Sequence, residues 1–220
     1  MDFHTLKEWL KPEHIVRFGG AWGPYVVMAV IFAETGLLVG FFFPGDSLLF
    51  TAGLFVGMGP VAGIDFNIVL LLLGVFLAAV IGNTVGYLFG RSVGPALFKR
   101  EDSLIFKKKY LEMTQSFYEK NGKMAIIAGR FLPIIRTFVP VLAGAIKLDF
   151  WRFTVYNIIG AGAWTGSFIL LGYFLGAKFP GPIKDNLDFI VIALIIITII
   201  PVVRTYMKER KKAKAAGAGK

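Results

Sequence analysis

The sequence contains no cysteine and only two histidines, His4 and His14, both in the polar N-terminal stretch. The first absence excludes disulfides, thiolate catalysis and sulfur-ligated metals. The second argues against a histidine-based zinc site or a histidine proton relay, and leaves carboxylates as the titratable groups available inside the protein. Positive charge is missing from one long stretch: residues 44–66 hold no lysine or arginine, although the chain as a whole carries +10. An apolar leader is missing too, because the first eighteen residues contain Asp2, Glu8 and Glu13 and no apolar run. They do not read as a cleavable signal peptide, and insertion is expected to use internal segments.

What is abundant is apolar surface. Of the 220 residues 56% are hydrophobic, 22 are phenylalanine, and the mean hydropathy is +0.68. That composition is too apolar for a soluble domain of this length, so an integral membrane protein is expected. Windows 24–43, 48–63, 67–90, 124–146, 153–176 and 187–203 are candidate membrane segments, and a span needs roughly 20 apolar residues. The positive charge is concentrated at 91–123, with eight Lys and Arg, and at 204–220, with seven. Nucleic-acid binding is a weaker explanation than positive-inside topology, which places both regions in the cytoplasm. An even number of crossings must then separate them, yet three apolar segments lie between.

The segment that does not cross is expected to be 124–146, interrupted by Arg130, Pro133, Arg136 and Pro140. Proline removes a helical hydrogen bond and disfavours helix in the residue before it, so this segment reads as a re-entrant hairpin. The first half of the chain follows the same order, with Pro44-Gly45 as its breaker. Each half has a polar, aromatic-bearing stretch (3–18 and 103–120), a broken segment closing on Ala-Gly (52–53 and 143–144), and a long span ending in "GYLFG" (86–90) or "GYFLG" (172–176). In the second half Phe106, Tyr110, Met113 and Phe117 fall on one helical face. The expected fold is therefore all-α and integral to the membrane. It consists of two inverted repeats, each with an interfacial amphipathic helix, a re-entrant helical hairpin and a transmembrane helix, plus a C-terminal transmembrane helix. The expected organisation is an interfacial segment at 1–20, one membrane domain at 21–203 and a basic cytoplasmic tail at 204–220. Within that domain repeat 1 covers about 21–90, the basic loop and interfacial helix 91–123, repeat 2 about 124–176, and the last span 187–203. The repeat puts the N-terminal stretch outside, whereas Lys7, Lys11 and Arg17 favour inside.

Four charges stand in apolar surroundings: Glu34 and Asp46 in the first broken segment, Arg130 and Arg136 in the second. Each would cost roughly 2.5–3.5 kcal/mol at a helix centre, on the order of 10–14 kcal/mol together if unpaired, so pairing or hydration in a shared polar cavity is expected. Local explanations exist. Asp46 fits the N-cap of a helix starting near Ser47, and either arginine fits a snorkelling anchor. Glu34 has no such local role. Pro44, Gly45, Pro133 and Pro140 are the expected hairpin-shaping residues. Ser47, Thr137, Asn83, Asn157 and Trp164 are candidate cavity-lining residues, with Asn83 equally readable as helix–helix glue. Glycines at 82, 86, 90, 160, 162, 166, 172 and 176 are read as close-packing positions.

The motifs "ETGL" at 34–37, "FPGDSLLFTAG" at 43–53, "GNTVGYLFGR" at 82–91, "GRFLPIIRTFVPVLAG" at 129–144 and "FTVYNIIGAGAW" at 153–164 carry a family likeness. Together they resemble the DedA family of bacterial inner-membrane proteins, relatives of the eukaryotic VTT-domain lipid scramblases. The resemblance covers roughly residues 20–176. It implies paired re-entrant hairpins, location in the bacterial inner membrane, and transport or flipping of polyprenyl phosphate, such as undecaprenyl phosphate, or of phospholipid. In some members it implies dependence on the proton motive force. It also implies that Glu34, Asp46, Arg130 and Arg136 are the functional charges. Physical chemistry agrees: arginine presents a planar fork of donors matched to phosphate oxygens, and the acids can pair with the arginines or take up a proton. The expected partners are thus membrane lipids and protons, with no nucleic acid, no metal and no cofactor, and with a homo-oligomer left open. A lipid-phosphate enzyme is disfavoured, since phosphatase chemistry usually needs His, Cys or a metal cluster and two acids are too few for a carboxylate metal site. A proton- or cation-coupled exporter of small solutes and a structural membrane factor are the alternatives.

Overall fold

The computed structural model describes residues 22–36, 45–62, 66–93, 108–181 and 186, all of them helical or connecting, with no strand among them. The elements are α1 (Gly23–Gly36), α2 (Gly45–Met58), α3 (Ile68–Val93), α4 (Lys108–Asn121), α5 (Met124–Ala128), α6 (Pro133–Ala145) and α7 (Phe150–Lys178). Single 3-10 turns follow α2 and α5, at Gly59–Ala62 and Gly129–Phe131. The interfacial segment 1–20, Pro44, Phe106, the span 187–203 and the tail 204–220 lie outside the described residues.

Among the described residues two helices are long and apolar enough to cross a membrane, α3 with 26 residues and α7 with 29. At 1.5 Å per residue they reach about 39 and 43 Å, against a hydrocarbon core of about 30 Å. Each buries one narrow stripe. In α3 the stripe is Leu71, Val75, Ala79, Gly82, Asn83, Gly86, Tyr87 and Gly90, while Leu70, Leu73, Leu77, Ile81 and Leu88 on other faces are apolar and exposed. A polar face would stand there in a water-soluble helix; an apolar one suits lipid. α7 repeats the pattern, starting where Asp149 caps it by accepting the Arg152 backbone N–H at 2.9 Å.

The proline-broken segment 124–146 divides at one point rather than two. Leu132 is extended, at φ −116° and ψ 105°, as a residue preceding proline should be. Pro133 then opens α6, where its missing N–H costs nothing. Pro140, expected to break the segment again, lies inside α6, and the helix runs through it. Just past the end of α6 at Ala145, Lys147 adopts a left-handed φ of +54°, with Leu148 N–H closing on the Ala143 carbonyl and Lys147 N–H on that of Gly144, both at 2.9 Å.

The long helices hold the short ones through glycine contacts of one design. Between α2 and α7, a Cβ on Gly53 would collide with the Ile169 carbonyl, and one on Gly172 with that of Phe50. Between α6 and α3, Gly144 lies in the same way against the Tyr87 carbonyl and Gly90 against that of Val141. The Gly-Tyr motifs align Gly86 with Gly172 in sequence, but in space Gly90 plays the part of Gly172, one turn further on. A Gly53→Ala substitution is expected to cost about 1–3 kcal/mol, because the obstructing carbonyl is backbone and cannot rotate away. Gly166→Ala, with open space at its Cβ position, is the control expected to be neutral or stabilising. Thermal midpoints of the purified variants would check both.

Two apolar cores result. The larger joins α1, α2, α3 and α7 through Ile31, Leu48, Leu49, Phe55, Leu71, Val75 and Ile169. The smaller gathers Tyr87, Ile126, Ile135, Val139, Ala143 and Phe153, with Met113 and Phe117 of α4 packed on it. The amphipathic face expected for α4 is thus used at both of those positions. Trp164, fully buried, belongs to the larger core and carries it to the charged residues.

Candidate functional site

Each charged residue is delivered by a helix end. Glu34 stands in the last turn of α1, and Asp46 is the second residue of α2. Arg136 lies in the first turn of α6 and Arg130 in the 3-10 turn before the Leu132 bend. All four are at least 94% buried. Gly45 makes the approach of the first two elements feasible, since a Cβ there would collide with the Glu34 carboxylate.

The quartet is not two separate pairs. Arg136 takes both acids: its Nη1 donates to Asp46 Oδ1 at 2.6 Å and its Nη2 to Glu34 Oε1. Asp46 Oδ1 also accepts the Trp164 indole N–H at 2.8 Å. Asp46 is therefore not the N-cap of α2; it lies inside the first turn, where the helix dipole favours an acid, and its oxygen serves side chains of α6 and α7.

Arg130 is held by neutral groups. Its Nη2 donates to Asn157 Oδ1 at 2.5 Å, with the carbonyls of Ala79 at 3.4 Å and Asn157 at 3.5 Å nearby. The same Asn157 oxygen accepts from Asn83 Nδ2 at 3.1 Å, and Asn157 Nδ2 donates to the Val80 carbonyl at 3.0 Å. Gly160 leaves room for the arginine stem, since a Cβ there would come within 3.1 Å of Arg130 Cδ. Among the described residues no carboxylate pairs with Arg130. The Trp164 ring serves both cations, its centroid lying 5.2 Å from Arg136 Cζ and 6.0 Å from Arg130 Cζ.

Several polar atoms here are buried without a hydrogen-bond partner among the described residues: Arg130 Nε, Arg136 Nε, Glu34 Oε2, Ser47 Oγ and Thr51 Oγ1. Both guanidinium groups therefore keep donors to spare in an apolar setting. Thr137 is buried beside Arg136 in sequence and has a partner of its own. No group of His, Cys, Asp and Glu suited to a metal occurs among the described residues. The sequence marked Asn157 and Trp164 only as lining and Asn83 as lining or helix–helix glue; it did not reveal that Trp164 ties Asp46 to both arginines or that Asn157 is the side-chain partner of Arg130. Thr51, one turn after Ser47, was missed altogether.

The VTT domain, as a family pattern, matches residues 43–174, which contain Asp46, both arginines, Asn83, Asn157 and Trp164. The chain belongs to the DedA family of VTT-domain membrane proteins. It is 39% identical over 90% of its length to Protein DedA of Escherichia coli K12, 88% of which is covered. An uncharacterized membrane protein of Mycobacterium leprae is 37% identical over 94% of the chain and 90% of its own length. Inner membrane protein YghB of Escherichia coli K12 is 32% identical over 69% of the chain and 67% of its own length. No solved structure matches this DedA-family chain.

Proposed function

We propose that this DedA-family protein translocates lipid phosphates, most simply polyprenyl phosphates such as undecaprenyl phosphate, or phospholipids, with Arg130 and Arg136 receiving the phosphate and Glu34 and Asp46 acting as proton-linked counter-charges. The observation that carries this reading is the pair of buried guanidinium groups, each with an unpartnered Nε–H, set over one indole ring. A phosphate leaving water needs substitutes for its hydration, and arginine supplies them in a planar fork. While Arg136 is held by two acids both of its Nη groups are engaged; protonation of Glu34 or Asp46 weakens the pairing and frees them, which couples proton entry to phosphate binding.

The architecture that suits this function is a pair of re-entrant hairpins, α1 with α2 and α5 with α6, in repeats of opposite orientation. The described parts of α1 and α2, 14 residues each, cover about 21 Å, and the matched glycine contacts of α2 with α7 and α6 with α3 support an internal repeat. Irregular backbone at such depth is tolerated where protein or a water-filled cavity covers it. On this reading the protein lies in the bacterial inner membrane, as the name of YghB suggests for that relative. The 91–123 region and the tail then face the cytoplasm, as their positive charge suggests.

The test is translocation of labelled polyprenyl phosphate in proteoliposomes, wild type against Arg136→Ala, with and without an imposed pH gradient. Transport that requires Arg136 and responds to the gradient is expected. Folded protein that moves neither polyprenyl phosphate nor phospholipid would overturn the proposal.

A further inference from the structure

The two arginines are treated unequally. The cluster contains two acids and two bases, enough for one pair each, yet both acids are on Arg136. Arg130 is left with an amide oxygen and two longer carbonyl contacts. Burying a cation against dipoles alone is costly compared with pairing it, and a carboxylate at position 157 would occupy the place of the present amide. The chain instead has asparagine there, and fixes that amide at both ends: Oδ1 by Asn83 and Nδ2 by the Val80 carbonyl. With Nδ2 on Val80, Oδ1 is the atom turned toward Arg130, so the amide orients the guanidinium without cancelling its charge.

We infer that Asn157 is a positioning residue that keeps Arg130 as the standing anion-docking cation of the site, while Arg136 is closed by Glu34 and Asp46 until a later step. This rests on the lipid-phosphate reading above and adds an order to it: the phosphate meets Arg130 first. The unpartnered Nε–H of Arg130, buried in the resting site, is the donor left for the arriving group. Asn83 is then a support for the amide, which gives it a use beyond helix packing.

Asn157→Asp tests the inference with almost no change of shape. The introduced carboxylate would pair with Arg130, so octyl phosphate binding to the purified full-length protein, measured by calorimetry, is expected to weaken about 10- to 100-fold, the weight of one charge-assisted hydrogen bond. The thermal midpoint is expected to change little, because the counter-charge gained by Arg130 is offset by loss of the Nδ2–H bond to the Val80 carbonyl. A merely structural Asn157 predicts unchanged affinity, and that result would overturn the inference. A second measurement needs no variant of Asn157: the arginine side-chain Nε–H resonances of the wild type, with Arg130 assigned by its loss in Arg130→Lys. Octyl phosphate is expected to shift the Arg130 signal at concentrations that leave Arg136 unmoved; both moving together, or Arg136 first, would overturn the order. Wild type that binds no octyl phosphate at all would instead remove the lipid-phosphate reading on which the inference stands.

Discussion

Arg136→Ala is expected to lose stability and transport together, and the two losses are expected to come apart when the acids are neutralised as well. Arg136 holds Glu34 with one Nη and Asp46 with the other. Removing it leaves two buried like charges without a cation, a change that costs about 3–5 kcal/mol where a buried pair is broken from one side. The triple variant Arg136→Ala/Glu34→Gln/Asp46→Asn removes the orphaned charges, and replacing a buried ion cluster by neutral groups is often close to neutral in free energy. Its thermal midpoint should therefore return toward that of wild type. Trp164 Nε1 keeps an acceptor in the asparagine side-chain carbonyl at position 46. Translocation of labelled lipid phosphate in proteoliposomes should stay lost, because no guanidinium remains at position 136. A triple variant that regains transport would mean that the cluster only holds the helices together, as in a structural membrane factor.

How much of this was legible in the sequence depends on the kind of signal. Pro133 announced the Leu132 bend because the steric effect of a proline on its predecessor is local, and Glu34 and Asp46 announced a buried polar site because charges are rare in apolar runs. Pro140 misled for the converse reason: α6 has packing on α3 on one side and the smaller core on the other, and tertiary contacts carry the helix past a missing hydrogen bond. The pairing of both acids with Arg136 was not readable, since counting charges gives neutrality without saying who faces whom. Nor was the register of the glycine motifs, which matched by letters at Gly86 and by contact at Gly90. Asn157 read as one of several candidate cavity-lining residues; its importance comes from Arg130, 27 positions away, and from Asn83, 74 positions away.

Glu34→Gln should change the energetics of the site in the opposite sense from Arg136→Ala. Glutamine keeps the shape and still offers an oxygen to Arg136 Nη2, but a neutral acceptor is bound about half as strongly as a charged one. Arg136 then retains one carboxylate, Asp46, instead of two. The charge sum of the quartet goes from zero to +1, which is the state that proton uptake by Glu34 would create. Octyl phosphate affinity is accordingly expected to rise by about tenfold, for a difference near 1.4 kcal/mol. The pH dependence of binding between weakly acidic and weakly alkaline conditions should flatten, because the group that would take the proton is gone. Gradient-driven translocation should fall while downhill exchange of lipid phosphate continues, since a permanently neutral residue can neither pick up a proton on one side nor release it on the other. Side-by-side assays of driven and downhill movement in the same vesicles would show the split. Equal loss of both would place Glu34 in the architecture of the site and leave Asp46, tied to Trp164 and Arg136, as the remaining candidate for the proton-linked acid.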